Sequence, residues 1–540
     1  MGVRTAEKTC EEVTQDALNQ TGFGVFNLKI FATCALICIN GSLGLGNVGL
    51  IIPAAACDFK MSTVAKGYMA MMPVLGMVFG PYCWATLAEM KGRRIGLIIS
   101  LIFHGVGDIT ASVISNFWGL LVCKFLVGFG FSGQFSLLFT YLGEFQPCKV
   151  RDRLLAWLEL PWVSGLLITA ALGWAIMPLN INYESATTGF FFKSWSLYLL
   201  ICGSLSPILA LWIVFLPETP KYLAETRQHK KLLELLGDIY HANTGQPKKQ
   251  YLDNIKKLEN PGLNHLIAKA QEHTVPTHKT IRQMMSQYME QTKEIIKPPY
   301  LKTTILMSIA SYTVTAPYYT LIFWLPEIFL RYSIFEELHP EKTASVCTIS
   351  NVLYAANATQ KKEMDYSDCT EVLSETVYFH NMILGATSVP VAFWLPLFVD
   401  RFGYKIHLVG ASLSSAVLAF GLLIVETSTQ NLIIACLFEA LASVSITIVL
   451  CTAVELYPTH LRVIASALAA FVGRMGAFVG ISMVGYLIDD YCVPLILLIG
   501  SHLVVAGICG IFIPIRKTKE EFEKREKLKA KLAESTNTQL

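Results

Sequence analysis

Four polar landmarks recur in this chain at one fixed offset. Glu89, Gly92, Glu144 and Arg151 are matched by Asp400, Gly403, Glu455 and Arg462, each 311 positions further on. Unrelated stretches do not keep four such residues in register, whereas tandem copies of one unit do. Every landmark also borders a long apolar run. The chain is therefore read as an internally duplicated membrane protein, which fixes an even number of spans divided into two equivalent halves.

The composition agrees. Hydrophobic residues make up 53% and charged residues only 15% of the 540, where a soluble domain carries about 25% charge. A net charge of +3 argues against a nucleic-acid partner. The 14 cysteines contain no CxxC pair, so neither a metal site nor a redox motif is expected. No nucleophile constellation, phosphate loop or metal cluster is visible. An enzyme and a resident cofactor are accordingly not expected. The polar stretch 1–29 is read as an uncleaved cytoplasmic tail rather than a signal peptide.

A bilayer-crossing helix needs about 20 predominantly apolar residues. Twelve segments qualify: 30–56, 66–88, 95–114, 118–142, 154–178, 195–216, 303–330, 376–399, 406–425, 431–457, 463–487 and 493–514. The expected fold is thus an all-α membrane protein of twelve helices in two pseudo-symmetric six-helix halves, 30–220 and 303–515. Lys91, Arg93, Arg94, Lys149, Arg151, Arg153, Arg401, Lys405 and Arg462 all fall in connections on one side, which marks that side as cytoplasmic. Both termini then face inward, including the basic tail 516–540. The polar segment 221–302 becomes a cytoplasmic linker. Leu232, Leu233, Leu235, Leu236, Ile239 and Tyr240 recur in it at helical spacing, so amphipathic helices are expected there.

The outer face is left with one large loop, 331–375. It holds Cys347 and Cys369, expected to form a disulfide in an oxidising compartment. It also holds the sequon Asn357-Ala358-Thr359, expected to carry a glycan at Asn357.

The repeated landmarks sit in longer motifs. The first runs Gly80-x-x-x-Trp84-x-x-Leu87-Ala88-Glu89-Met90-Lys91-Gly92-Arg93-Arg94, and its second copy is Asp400-Arg401-Phe402-Gly403-Tyr404-Lys405. Glu144-Phe145-Gln146-Pro147 with Arg151 matches Glu455-Leu456-Tyr457-Pro458 with Arg462, and Pro217-Glu218-Thr219-Pro220 follows helix 6. Together these resemble the major facilitator superfamily over nearly the whole chain. Within it the chain resembles the synaptic vesicle glycoprotein 2 branch, through Gly173-Trp174-Ala175-Ile176-Met177-Pro178, Lys193-Ser194-Trp195, Tyr240-His241-Ala242-Asn243-Thr244-Gly245 and Tyr318-Tyr319. It departs from that branch in four ways, one of them Leu450 where helix 10 carries an acidic residue. The 45-residue outer loop is too short for the large luminal repeat domain of vertebrate members. Asn40 and Leu43 stand where helix 1 carries an acidic pair. Lys124 stands where helix 4 carries an arginine. A divergent, invertebrate-type member fits this pattern.

The resemblance implies a secondary transporter of a small organic solute, embedded in the lipid bilayer of the plasma membrane or a secretory vesicle. Two halves would rock about a central site, coupled to H+ or Na+ or to neither, in a monomer. The second reading is a vesicle glycoprotein of transporter shape that regulates secretion through protein partners. In the first reading Glu89 with Arg93 and Arg94, Asp400 with Arg401, Glu144 with Arg151, and Glu455 with Arg462 hold the cytoplasmic ends closed. The expected cavity residues are Asn40, Asn47, Gln134, Glu159, Trp162, Tyr318, Tyr319, Trp324, His380, Asn381, Glu439 and Arg474. Ionisable groups within a span are costly and tend to be functional. Aromatic faces suit a sugar ring or an organic cation, and neutral amides hydrogen-bond hydroxyls.

Overall fold

The computed structural model describes residues 10–179, 181–185, 187, 189–257, 261–271, 280–360, 375–458 and 461–514. Nineteen α-helices dominate these described residues. In chain order they are α1 (Cys10–Asn19), α2 (Val25–Ala54), α3 (Thr63–Lys91), α4 (Arg93–Val113), α5 (Phe117–Glu144), α6 (Cys148–Ala156), α7 (Glu159–Ile176), α8 (Ser194–Val214) and α9 (Pro220–Glu225). They continue with α10 (His229–Thr244), α11 (Lys248–Lys257), α12 (Pro261–Gln271), α13 (Ile281–Ile295), α14 (Leu301–Leu338), α15 (Val346–Gln360), α16 (Glu375–Gly421), α17 (Ser428–Glu455), α18 (Arg462–Leu487) and α19 (Cys492–Phe512).

Ten segments among the described residues are long and apolar enough to cross a membrane. The remaining two crossings are the limbs of α16, whose 47 residues are interrupted by non-helical φ/ψ at Gly403. The fifth crossing begins with a break: α6 ends at Ala156 and α7 starts at Glu159, just ahead of Pro161, whose missing N–H weakens the helix there. Large apolar side chains such as Trp118, Phe215, Val417 and Ile424 are left exposed. In a multi-pass membrane protein these are the lipid-facing surface rather than a defect.

The chain divides into two compact units, one of Met1–Ile51 and Met72–Met285, the other of Ile52–Met71 and Ser286–Leu540. In the first, α4 packs on α5 and α8, and one continuous core joins these and α2 to α1, α9, α10, α11 and α12. Val13, Ala17 and Leu18 of α1 join Leu232, Leu236 and Ile239 of α10 and Tyr251 of α11 in this core. The Tyr251 hydroxyl donates to Ala17 O at 2.8 Å. Asn243 accepts from Phe26 N (3.1 Å) and donates to the Asn27 side chain (2.8 Å), tying the linker to the start of α2. The outer connection before α8 holds a two-stranded antiparallel hairpin, β1 (Asn182–Glu184) and β2 (Phe191–Lys193), with Tyr183 opposite Phe192.

In the second unit α14, α16, α17, α18 and α19 surround a core that includes Val314, Ile448, Tyr457 and Ile464. Tyr457 donates or accepts at the Thr304 hydroxyl, 2.8 Å away, which gives the Glu-Leu-Tyr-Pro motif a structural role. The outer segment 331–375 is not one loop: α14 runs on to Leu338 and α15 follows, so Asn357 lies on a helix; its side chain falls outside the described residues. The cysteine expectation is corrected here. Cys347 is bonded to Cys492, with Cα atoms 5.3 Å apart, because α15 lies against the outer end of α19. Cys369 is outside the described residues, and Cys57 is also disulfide-bonded.

Candidate functional site

The first charged motif is built around a glycine. Between α3 and α4 the chain turns at Gly92 with φ 103° and ψ 155°, a region that L side chains avoid. A Cβ there would also strike the Glu218 carboxylate. Glu218 accepts from Arg94 N with both oxygens at 3.2 Å and from Thr219 N at 3.0 Å. Burial nevertheless pushes its carboxyl above the usual carboxylate range, against these bonds and the nearby Arg93 charge. Arg93 is buried and reaches Glu144 (3.2 Å) and Glu225 (3.3 Å), with its guanidinium 5.6 Å from the centre of the Tyr222 ring. The Tyr141 hydroxyl donates to Pro217 O at 2.8 Å, so three separate sequence motifs close on one another at this corner.

One expected pairing is replaced. Arg93 takes Glu144 and Glu225, and Arg94 bonds Val214 O and Glu218. Glu144 is not the partner of Arg151, which instead bonds the Gln15 side chain of α1. The reason is geometric. Glu144 closes α5 and Arg151 lies past the Phe145–Pro147 turn in α6, while Arg93 opens the adjacent α4. In the second copy, Gly403 repeats the glycine conformation at φ 78° and ψ 155°. The side chains of Asp400, Arg401 and Glu455 lie outside the described residues. Arg462 donates to Tyr457 O at 3.0 Å.

Deeper in the first unit lies a fully buried polar network. Lys124 of α5 bonds Asp108 of α4 (2.8 Å) and Asn47 of α2 (3.0 Å), and Asn47 donates to Asp108 at 3.1 Å. His104 Nε2 is 3.5 Å from the other Asp108 oxygen. Its Nδ1 faces Gln134 (2.9 Å) and Asn40 (3.4 Å); Asn40 donates to Gln134 (3.0 Å) and accepts from Ser206 of α8 (2.9 Å). The structure thus joins Asn40, Asn47 and Gln134 through Asp108, His104 and Lys124. Low dielectric strengthens such bonds and makes each unmatched group expensive. Trp162 packs at 5.7 Å from Phe131 and 6.1 Å from Phe135, and its carbonyl accepts from Ser42. Glu159 is half-buried and stands apart from this network.

In the second unit Glu439 of α17 is buried and keeps Oε2 without a hydrogen-bond partner. Tyr318 and Tyr319 stand edge to face at 5.2 Å. Arg474 of α18 lies in the electrostatic field of Tyr319. Among the described residues no carboxylate comes within 4.0 Å of its guanidinium. Trp324 Nε1 and His380 Nδ1 are buried without partners. His380 packs on Phe329 at 5.2 Å, while Asn381 bonds Val377 O in its own helix. His502 likewise bonds its own helix at Leu498 O and is a packing histidine.

A third charged group escapes a reading of the sequence. Lys66 of α3 meets Glu327 of α14 at 2.7 Å, Arg331 meets the same oxygen at 3.3 Å, and Arg331 meets Asp489 at 2.8 Å. Tyr68 and Tyr486 share a hydroxyl hydrogen bond of 2.7 Å beside them. Glu327 and Arg331 are one helical turn apart in α14. That i,i+4 spacing is the signal available in the sequence.

Among the described residues no group of three His, Cys, Asp or Glu is placed to hold a metal. A cleft of about 540 Å³ opens beside the turn between α3 and α4, lined by Lys91, Arg94, Glu218, Tyr222, Lys231 and Asp238.

The pattern of the family described as "Sugar (and other) transporter" matches residues 6–320 and 350–527. Synaptic vesicle glycoprotein 2C of Homo sapiens is 26% identical over 330 residues, 59% of this chain and 45% of that protein. Synaptic vesicle glycoprotein 2A of Rattus norvegicus is 26% identical over 338 residues, 61% of this chain and 45% of that protein. The matched stretch thus spans about half the length of these relatives. Among solved structures, the inward-open xylose transporter XylE from E. coli superposes with a TM-score of 0.62 at 13% identity, covering 92% of this chain and 99% of that one. A point mutant of the nucleoside transporter NupG superposes with a TM-score of 0.54 at 11% identity, covering 90% of this chain and 98% of that one. The fold is that of the major facilitator superfamily, and the chain belongs to the sugar (and other) transporter family.

Proposed function

We propose that this chain is a secondary transporter of a small organic solute, working by alternating access in a vesicle or plasma membrane. One observation carries the reading: Glu439 Oε2 and Trp324 Nε1 are buried without hydrogen-bond partners in the second unit. Unmatched buried polar groups are costly, and a bound solute with donors and acceptors supplies the missing bonds. Tyr318, Tyr319, Trp324, His380, Asn381, Glu439 and Arg474 form the solute-facing set of the second unit. Asn40, Asn47, Gln134, Glu159 and Trp162 form that of the first. The halves 30–220 and 303–515 are the moving bodies, joined by the linker 221–302. Arg93 with Glu144, and the second copy around Asp400, Arg401, Glu455 and Arg462, steady their cytoplasmic ends.

Coupling to H+ or Na+ has a seat in the Asp108–Lys124–His104 network, where protonation of Asp108 would release Lys124. One solved structure of the same fold is a D-xylose–proton symporter, which makes H+ the first ion to test. The test is an uptake screen in proteoliposomes with and without a pH gradient. Saturable uptake of at least one solute is expected. No uptake of any solute by folded protein would overturn the reading.

The second reading is a non-transporting vesicle glycoprotein acting through protein partners. The observation favouring it is that Asp108 and Lys124 already satisfy each other, with Asn40 in place of a helix 1 acid.

A further inference from the structure

Helix α3 is divided between the two compact units. Its first stretch, up to Met71, belongs with the second unit, and the rest belongs with the first. The division falls just ahead of Pro73, where the missing N–H loosens the helix. Separate contacts hold the first stretch. Lys66 meets Glu327 of α14 at 2.7 Å. The Tyr68 hydroxyl shares a hydrogen bond of 2.7 Å with Tyr486 of α18. Ser482 of α18 donates to Met71 Sδ at 3.0 Å. Between them Gly67 crosses Gly485, and a Cβ on either would stand 3.0 Å from the Cα of the other. Arg331 extends the ion pair, taking the same Glu327 oxygen at 3.3 Å and Asp489 at 2.8 Å. Lys66, Glu327, Arg331 and Asp489 thus form one chain of alternating charge. It lies at the end of the molecule that carries the Cys347–Cys492 bond, since Cys492 follows Asp489 by three residues.

The two stretches of α3 are held by different means. The later one is packed into α5: a Cβ on Gly76 would strike Phe125 O, one on Gly80 would strike the Ser132 hydroxyl, and buried Trp84 donates to Phe129 O at 2.7 Å. The first stretch is held by polar bonds that water can replace. Glu327 also keeps Oε2 buried without a hydrogen-bond partner, a cost that exposure to water removes. Partly exposed ion pairs each contribute little, so a short chain of them can bias an equilibrium between two states without fixing it. We propose that this cluster is a latch. Lys66–Glu327–Arg331–Asp489 and the Tyr68–Tyr486 bond hold the first stretch of α3 on α14 and α18. Release, with a bend near Pro73, opens this end to solution while the rest of α3 stays on α5. The structure shows the latched form. The proposal rests on the transporter reading and names the contacts that open and close one end of the path.

The test is amide hydrogen exchange, read by mass spectrometry, on the full chain in nanodiscs. Exchange reports local opening segment by segment. Glu327→Gln and Lys66→Met should each speed exchange in 63–71 and in 482–491 by about 5-fold, with 72–91 and 301–311 left at wild-type rates. The double variant should exchange no faster than the faster single one, because the two groups make one contact. Tyr68→Phe removes a single hydroxyl and should give the same pattern at about 2-fold. It decides the question by itself should the charge variants fail to fold. A static scaffold role would raise exchange in 72–91 and 301–311 as much as in 63–71 and 482–491, and that result would overturn the latch. Unchanged rates in 63–71 and 482–491 would overturn it too. Exchange needs no solute, so this experiment judges the latch alone and the uptake screen judges transport.

Discussion

Asp108 and Lys124 have no exposed surface and lie 2.8 Å apart, so each is tolerable only because the other is present. Removing one partner of a buried pair typically costs about 3–5 kcal/mol, while replacing both can be nearly neutral. Asp108→Asn and Lys124→Gln should each lower thermal stability strongly, and the double variant should recover much of the loss. Melting curves of the four proteins in one detergent form the cycle; additive losses would show that the pair is not coupled. Arg93 gives a graded contrast. Its partner Glu225 is half exposed, whereas Glu144 is only 11% exposed. Glu225→Gln should therefore cost about 1 kcal/mol or less, and Glu144→Gln about 3 kcal/mol. Equal losses in the same melting assay would contradict the assigned geometry. Polar residues at bilayer depth, such as Asn40, Asp108 and Glu439, are legible in the sequence because apolar surroundings make them conspicuous. Their partners are not, because pairing depends on helix rotation. Lys124 stands out as a replaced arginine, yet nothing in the string places it on Asp108 rather than on another acid. Glu327 and Arg331 are hidden because they fall where the apolar run of helix 7 gives out.

The glycines that punctuate helix 2–3 and helix 8–9 show how elements follow from the repeat. Gly92 and Gly403 share ψ 155° and positive φ, although only their spacing within the repeat is visible in the sequence. Alanine at either position meets backbone strain of about 1–2 kcal/mol. At Gly92 it also displaces Glu218, while at Gly403 a Cβ meets nothing within 4 Å. Gly92→Ala should therefore lower the melting temperature clearly more than Gly403→Ala; the reverse order would contradict the Glu218 contact at Gly92. Helix periods are readable, but their ends are not. Helix α1 escapes notice because its apolar stripe is only Val13, Ala17 and Leu18. The outer disulfide is mispaired by the sequence because a loop offers its nearest cysteine first. The fold instead brings Cys347 to Cys492, 145 positions away. Peptide mapping of non-reduced protein should recover the 347–492 cross-link; a 347–369 cross-link in its place would refute this packing.

For the whole molecule, twelve crossings and a tandem repeat are legible because membrane helices must satisfy their own backbone and cannot hide their length. The solute site is only half legible, since a cavity is defined by which faces converge. The central claim is that the buried charges serve a passage for solute rather than a static scaffold. Initial uptake rates of a radiolabelled solute panel into proteoliposomes of the purified chain address it most directly. Empty liposomes are the baseline and a pH gradient is the second condition. The account predicts saturable uptake above the baseline, abolished by Glu439→Gln in protein that still melts as a folded species. Wild-type rates indistinguishable from empty liposomes across the panel, in both conditions, would contradict it.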